Sequence, residues 1–127
     1  MRLRTVALAS LCLSISLAFA AVQWSMQPKD SQLTFIGTQA GAPFEGRFEK
    51  FTADIVFNPQ DLTGSRFDVA IDTGSVNTRD SERDEIIRSA DLFAVKQHPM
   101  ARYVAETFTN KGKGQYAAAG KLTLRGI

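Results

Sequence analysis

From Phe44 to Asp72 the apolar positions fall on alternate residues. Phe44, Gly46 and Phe48 share one side of the chain, against Glu45, Arg47 and Glu49. Ala53, Ile55 and Phe57 then alternate with Asp54, Val56 and Asn58. After a turn through Pro59 and Gly64, Phe67, Val69 and Ile71 alternate with Arg66, Asp68, Ala70 and Asp72. A period of two with charge on one side predicts strands that have one dry and one wet face. Three phenylalanine-rich strands in succession predict a curved antiparallel sheet around an aromatic interior.

The flanking segments extend this picture. Leu33–Thr38 predicts an earlier strand with Leu33 and Phe35 on one side, and residues 39–43 a small-residue link. Val22–Asp30 reads as a polar lead-in carrying one tryptophan, Trp24. A single helical excursion opens at Ser81 with a capping residue and early acids. Ile86, Ile87, Leu92 and Phe93 give it an apolar edge, and His98-Pro99 ends it. Arg102–Phe108 alternates again, Tyr103 and Ala105 against Arg102, Val104 and Glu106. A turn at Lys111–Gly114 leads to a return strand, Tyr116–Arg125, with Leu122 and Leu124 on one face. The fold class expected is therefore all-β in the main, with one short helical excursion. About six strands are legible, against the ~8 of closed barrels that hold a small ligand. The chain stops at Ile127 as a strand finishes, which leaves an edge for another copy or chain to cover, unless the barrel is shortened.

Residues 1–20 read differently. Arg2 and Arg4 make a basic start, Val6–Phe19 is an apolar run, and Ala18-Phe19-Ala20 is a small-x-small cleavage site. That combination is a secretory signal peptide with cleavage before Ala21, which predicts export. The domain then covers residues 21–127, about one domain's worth. Cleavage also removes the only cysteine, Cys12, so no disulfide or thiol chemistry is expected in residues 21–127. With Arg2 and Arg4 gone, 13 basic residues face 13 acidic ones. That balance gives no basic patch and no expectation of nucleic acid.

Candidate chemistry is sparse. Asp72-Thr73-Gly74-Ser75, preceded by Val69-Ala70-Ile71, resembles the active-site turn of aspartic peptidases, in which two such turns share a proton between aspartates. A homodimer would supply the second turn, and the competing reading is a strand that ends in an ordinary turn. His98 is the only histidine and has no cysteine within residues 21–127 to share a metal with, so no metal or cofactor is expected. Arg79, Asp80, Arg83 and Asp84 alternate in sign at helical spacing, which fits a solvated helix face. A sharper reading sets Arg79, Arg83 or Arg88 against an anionic head group at a cavity mouth. The aromatic stripe itself has two readings, a filled core or a wall around a lipid chain, and periodicity does not separate them.

The ordered motifs nevertheless resemble one family. Leu33–Gly37 followed by Gly41–Phe48, the block from Asn77–Asp80 through Asp91–Phe93 to His98-Pro99, and Gly120–Gly126 are together similar to the YceI-like family. The resemblance implies a lipocalin-like antiparallel β-barrel, exported to the periplasm, with an elongated apolar cavity for a polyisoprenoid, an isoprenoid quinone or a similar amphiphile. It implies a non-enzymatic carrier. On that reading Phe35, Phe48, Phe57 and Phe67 line the cavity, together with Val69, Phe93, Tyr103 and Leu122. An inner-membrane b-type cytochrome is an implied partner. The family continues for several strands beyond Ile127, so its C-terminal strands are expected to be missing here. Many members carry a histidine shortly after the first strand, where this chain has Thr38-Gln39. A homodimeric aspartic peptidase and a remnant without ligand stay open as alternatives.

Overall fold

A computed structural model of the chain describes residues 21–127; the predicted leader, residues 1–20, lies outside the described residues. Eight strands and one helix follow in order: β1 Gln23–Ser25, β2 Leu33–Gln39, β3 Ala42–Phe48, β4 Phe51–Val56, β5 Arg66–Asp72, β6 Val76–Asn77, α1 Ser81–Arg88, β7 Met100–Gly112 and β8 Gln115–Thr123. All pairings are antiparallel. They make a five-stranded sheet in the order β1-β4-β5-β7-β8 and a three-stranded sheet in the order β2-β3-β6. The architecture is the mainly-β, antiparallel one expected from alternation, with a single helix. Among the described residues the two sheets do not close into one barrel.

Several local expectations change. Gln23–Ser25 is no lead-in but a short edge strand, because Trp24 pairs with Ile55 across to β4 and its indole Nε1 donates to the Phe57 carbonyl at 3.0 Å. The link at 39–43 contracts to a two-residue turn, with Ala40 at φ 49° and Gly41 at φ 81°. That pair of positive φ values matches the twist of a hairpin, so β2 and β3 pair all the way to Gln39 and Ala42. The helix ends at Arg88. Phe93 is placed by the turns that follow, where its N–H donates to the Ile87 carbonyl at 2.9 Å and Ala94 N–H to the Ser89 carbonyl at 2.7 Å.

The helix is held by polar contacts at its start and its end. Asp80 caps it, accepting from Arg83 N–H at 3.0 Å. Asp84, expected on a solvated face, is instead buried and accepts from both the N–H and the hydroxyl of Thr78, at 2.8 and 2.7 Å. Arg88 reaches back to the Gly74 and Val76 carbonyls, at 3.0 and 2.7 Å. The buried apolar core among the described residues consists of Ile71, Val76, Ile87, Ala94, Ala101 and Ala105. Val76 and Thr73 are its largest fully buried side chains. This core is small, and it contains no aromatic ring.

Candidate functional site: two aromatic clusters

The rings lie elsewhere, on one face of each sheet. In the β2–β3 hairpin, register sets Leu33 against Phe48, Phe35 against Gly46, and Gly37 against Phe44. The two glycines leave room for the opposing rings. A Cβ on Gly46 would stand 2.3 Å from Phe35 Cζ, and one on Gly37 would stand 2.4 Å from Phe44 Cζ. Phe35 meets Phe44 edge-on at 6.2 Å and Phe48 at 5.4 Å. Phe93 stacks on Phe48 at 6.1 Å, which joins the segment after α1 to the hairpin. Four rings thus form the first cluster.

The second cluster belongs to the five-stranded sheet. Phe67 of β5 and Phe108 of β7 meet edge-on at 4.9 Å. Phe57, just beyond β4, contacts Phe108 at 5.8 Å and Tyr116 of β8 at 5.1 Å. Edge-on pairs of this kind add about 0.5–1.5 kcal/mol beyond the area they bury. Val69, Tyr103 and Leu122 lie side by side in register on the same face, with the Tyr103 ring over Gly120. Leu122 is 52% exposed there.

Phe108 and Tyr116 were not among the residues picked out by alternation. Strict alternation from Tyr103 and Ala105 sets Phe108 on the wet side with Glu106. A bulge intervenes: Ala105 pairs with Gly120 but Thr107 with Ala119, so Glu106 is the extra residue and parity inverts after it. Phe108, paired with Ala118, therefore shares its face with Ala105. The local signal was an aromatic residue at an even position in an otherwise odd-faced strand.

None of the clustered rings is fully buried; every one stays partly exposed. Rings that filled a core would exclude water nearly completely, as Val76 does at 1% exposure. Beside the first cluster opens a cleft of about 530 Å³, within the size range of small-molecule sites. Its walls are mainly apolar, and Leu33, Phe48, Phe51, Met26, Ala70 and Met100 contribute to them. Ala70 belongs to the other face of the five-stranded sheet, so the cleft wraps around the β3–β4 turn and reaches past the inner face.

The charged groups divide into those that build and those that line. On the wet face Arg102 and Arg66 both donate to Asp68, Arg102 Nε at 2.7 Å and Arg66 Nη2 at 2.9 Å. The Arg102 hydrogen bond first, and then that of Arg66, hold the Asp68 carboxyl well below the usual carboxylate range. Arg66 also pairs with Glu106, the bulge residue. Glu49 is lowered too, chiefly by the Asn77 amide and then by Arg47. A polar cleft of about 790 Å³ runs beside α1 and includes Lys50, Asp72, Arg79, Asp80 and Arg88, with no aromatic residue in its lining.

Asp72-Thr73-Gly74-Ser75 forms a single 3-10 turn entered from β5. Asp72 Oδ1 caps it by accepting from Gly74 N–H at 2.9 Å, Thr73 is buried with its hydroxyl donating to the Pro99 carbonyl, and Ser75 Oγ donates to the Asp72 carbonyl at 2.7 Å. The motif is thereby the corner that turns β5 into β6. His98 lies against Gly126, and among the described residues no three His, Cys, Asp or Glu side chains converge as a metal site would require.

Comparison with known proteins fits this geometry. The family model described as a YceI-like domain matches residues 24–127. A UPF0312 protein of Vibrio cholerae is 35% identical over 82 residues, covering 65% of this chain and 43% of the relative. This chain thus spans less than half the length of that curated relative. Among solved structures, Burkholderia cenocepacia BcnA superposes with a TM-score of 0.74 at 28% identity, over 79% of this chain and 63% of the other. A domain from Saccharophagus degradans described as polyisoprenoid binding has a TM-score of 0.54 at 18% identity, over 76% and 56% of the respective chains, a likeness of fold.

Proposed function

The chain belongs to the YceI-like domain family, and from that premise we propose that it binds a long-chain apolar amphiphile, a polyisoprenoid or isoprenoid quinone, as a non-enzymatic carrier exported to the periplasm. The observation that carries this reading is the partial exposure of every clustered ring beside a buried core that holds no aromatic side chain. Binding would come from covering those rings, at about 25 cal/mol per Å² of apolar surface before ordering costs. An alkyl or prenyl chain suits the site because both clusters offer partly exposed apolar rings. The shared fold with a domain described as polyisoprenoid binding makes a prenyl chain the first ligand to test. Phe35, Phe48 and Phe93 would hold one part of the chain, and Phe57, Phe67, Phe108 and Tyr116 another.

The test is expression of the full chain in a bacterium with a periplasm, purification from that compartment without detergent, and mass spectrometry of both protein and extract. The expected result is a protein lacking residues 1–20 with a prenyl lipid or quinone bound near one to one. A folded, empty protein that takes up no prenyl probe would overturn the carrier reading. A protein that keeps its leader and stays in the cytoplasm would overturn the export reading.

A further inference from the structure

Three arginines lie in α1 or just before it, and their partners separate them. Arg88 is turned onto the Gly74 and Val76 carbonyls and holds the helix to the 3-10 corner. Arg79 is exposed and lines the polar cleft, away from every clustered ring. Arg83 alone touches the aromatic face: its Cζ stands 4.3 Å over the Phe44 ring, which in turn contacts Phe35. Its Nε donates to Gln39 Oε1 at 2.8 Å and its Nη2 lies 3.3 Å from Asp80 Oδ2. Nη1 has no hydrogen-bond acceptor among the described residues, and the side chain is only 22% exposed.

We infer that Arg83 is the head-group determinant of this apolar site, and that it selects a neutral head bearing a hydrogen-bond acceptor over an anionic head. The inference rests on the binding reading above and assigns one end of the amphiphile to one residue. A tail covering Phe44 and Phe35 ends its apolar contact where the guanidinium begins. The Nη1 donors meet a carbonyl or hydroxyl oxygen there without bringing in new charge. A phosphate or carboxylate fits worse, because Asp80 already balances Arg83, with Oδ2 3.3 Å from its Nη2. The guanidinium therefore acts as a neutralised donor on an aromatic plate.

Three probes with one tail separate these cases: geranylgeraniol, geranylgeranyl phosphate, and the same tail capped by a methyl group. Binding to the delipidated, exported protein is read from the fluorescence of Trp24, the sole tryptophan, whose indole is bonded to the Phe57 carbonyl. The alcohol is expected to bind at least about tenfold tighter than the methyl-capped tail, as one hydrogen bond to a charged donor allows, and at least as tightly as the phosphate. Arg83→Met should erase the preference for the alcohol over the methyl-capped tail. A phosphate bound tighter than the alcohol, or a preference that survives in Arg83→Met, overturns the inference. The wild-type ranking decides even where Arg83→Met fails to fold. Equal binding of all three probes sinks this inference alone, whereas binding of none sinks the carrier reading with it.

Discussion

The tip of the Phe35 ring occupies the space that a side chain at position 46 would need, 2.3 Å from where a Cβ on Gly46 would stand. The two residues are direct partners across β2 and β3, so the ring is laid over its neighbour's bare backbone. This contact sets the height of the first aromatic cluster. Gly46→Ala should force Phe35 off its rotamer and into the space beside Phe44 and Phe48. Overpacking of this kind costs about 1–3 kcal/mol. Prenyl-probe affinity should fall alongside the thermal midpoint, and unchanged values for both would show that the hairpin absorbs the methyl.

The second cluster depends on the bulge at Glu106. Phe67 and Phe108 stand 4.9 Å apart only because parity inverts after Ala105. A double-mutant cycle with Phe67→Leu and Phe108→Leu should return a coupling of about 0.5–1.5 kcal/mol in denaturant unfolding. Additive losses would mean that the rings do not meet and that Phe108 faces water with Glu106.

Acid should weaken the sheet through Asp68. Its folded-state carboxyl is lowered by Arg102 and then Arg66, so its contribution is fully present above the ordinary carboxylate value of about 4 and is lost as pH falls below that. Stability of the wild type should therefore drop on acidification from pH ~4 downward. In Asp68→Asn the curve should start lower at neutral pH and fall less steeply, meeting the wild type in acid. Parallel curves over that window would remove Asp68 as a cause.

Ala40 sits at φ 49°, a left-handed conformation that costs an alanine about 1–2 kcal/mol, at the first turn position of the β2–β3 hairpin. Ala40→Asn should recover about 0.5–1 kcal/mol and raise the thermal midpoint, since asparagine tolerates that conformation before Gly41. Ala40→Val should lower it. A lower midpoint in Ala40→Asn would argue for a different turn in solution.

Much of this was legible along the chain. Alternation grouped Phe35, Phe48, Phe57, Phe67, Val69 and Tyr103 by strand face, because successive side chains in a strand point to opposite sides whatever the partner. Phe93 was marked as apolar, but its stacking on Phe48 depends on the turns after Arg88. The charges around α1 were legible only as a pattern. Burial of Asp84 against Thr78, the hold of Arg88 on two carbonyls and the seat of Arg83 on Phe44 all follow from how the helix docks.

The division has a physical origin. Period-two patterning and glycine–phenylalanine alternation are local properties, and by themselves they determined a mainly antiparallel β protein with an aromatic face. Which strands pair, where an extra residue enters a ladder, and which cation meets which ring are settled by partners tens of residues away. Glu106 faces Arg66 across 40 positions, and that non-local pairing accompanies the bulge that turns Phe108 toward Phe57 and Tyr116. The tertiary structure also decided that the rings stay partly exposed, since burial depends on what packs opposite and no strand carries that information in its own sequence.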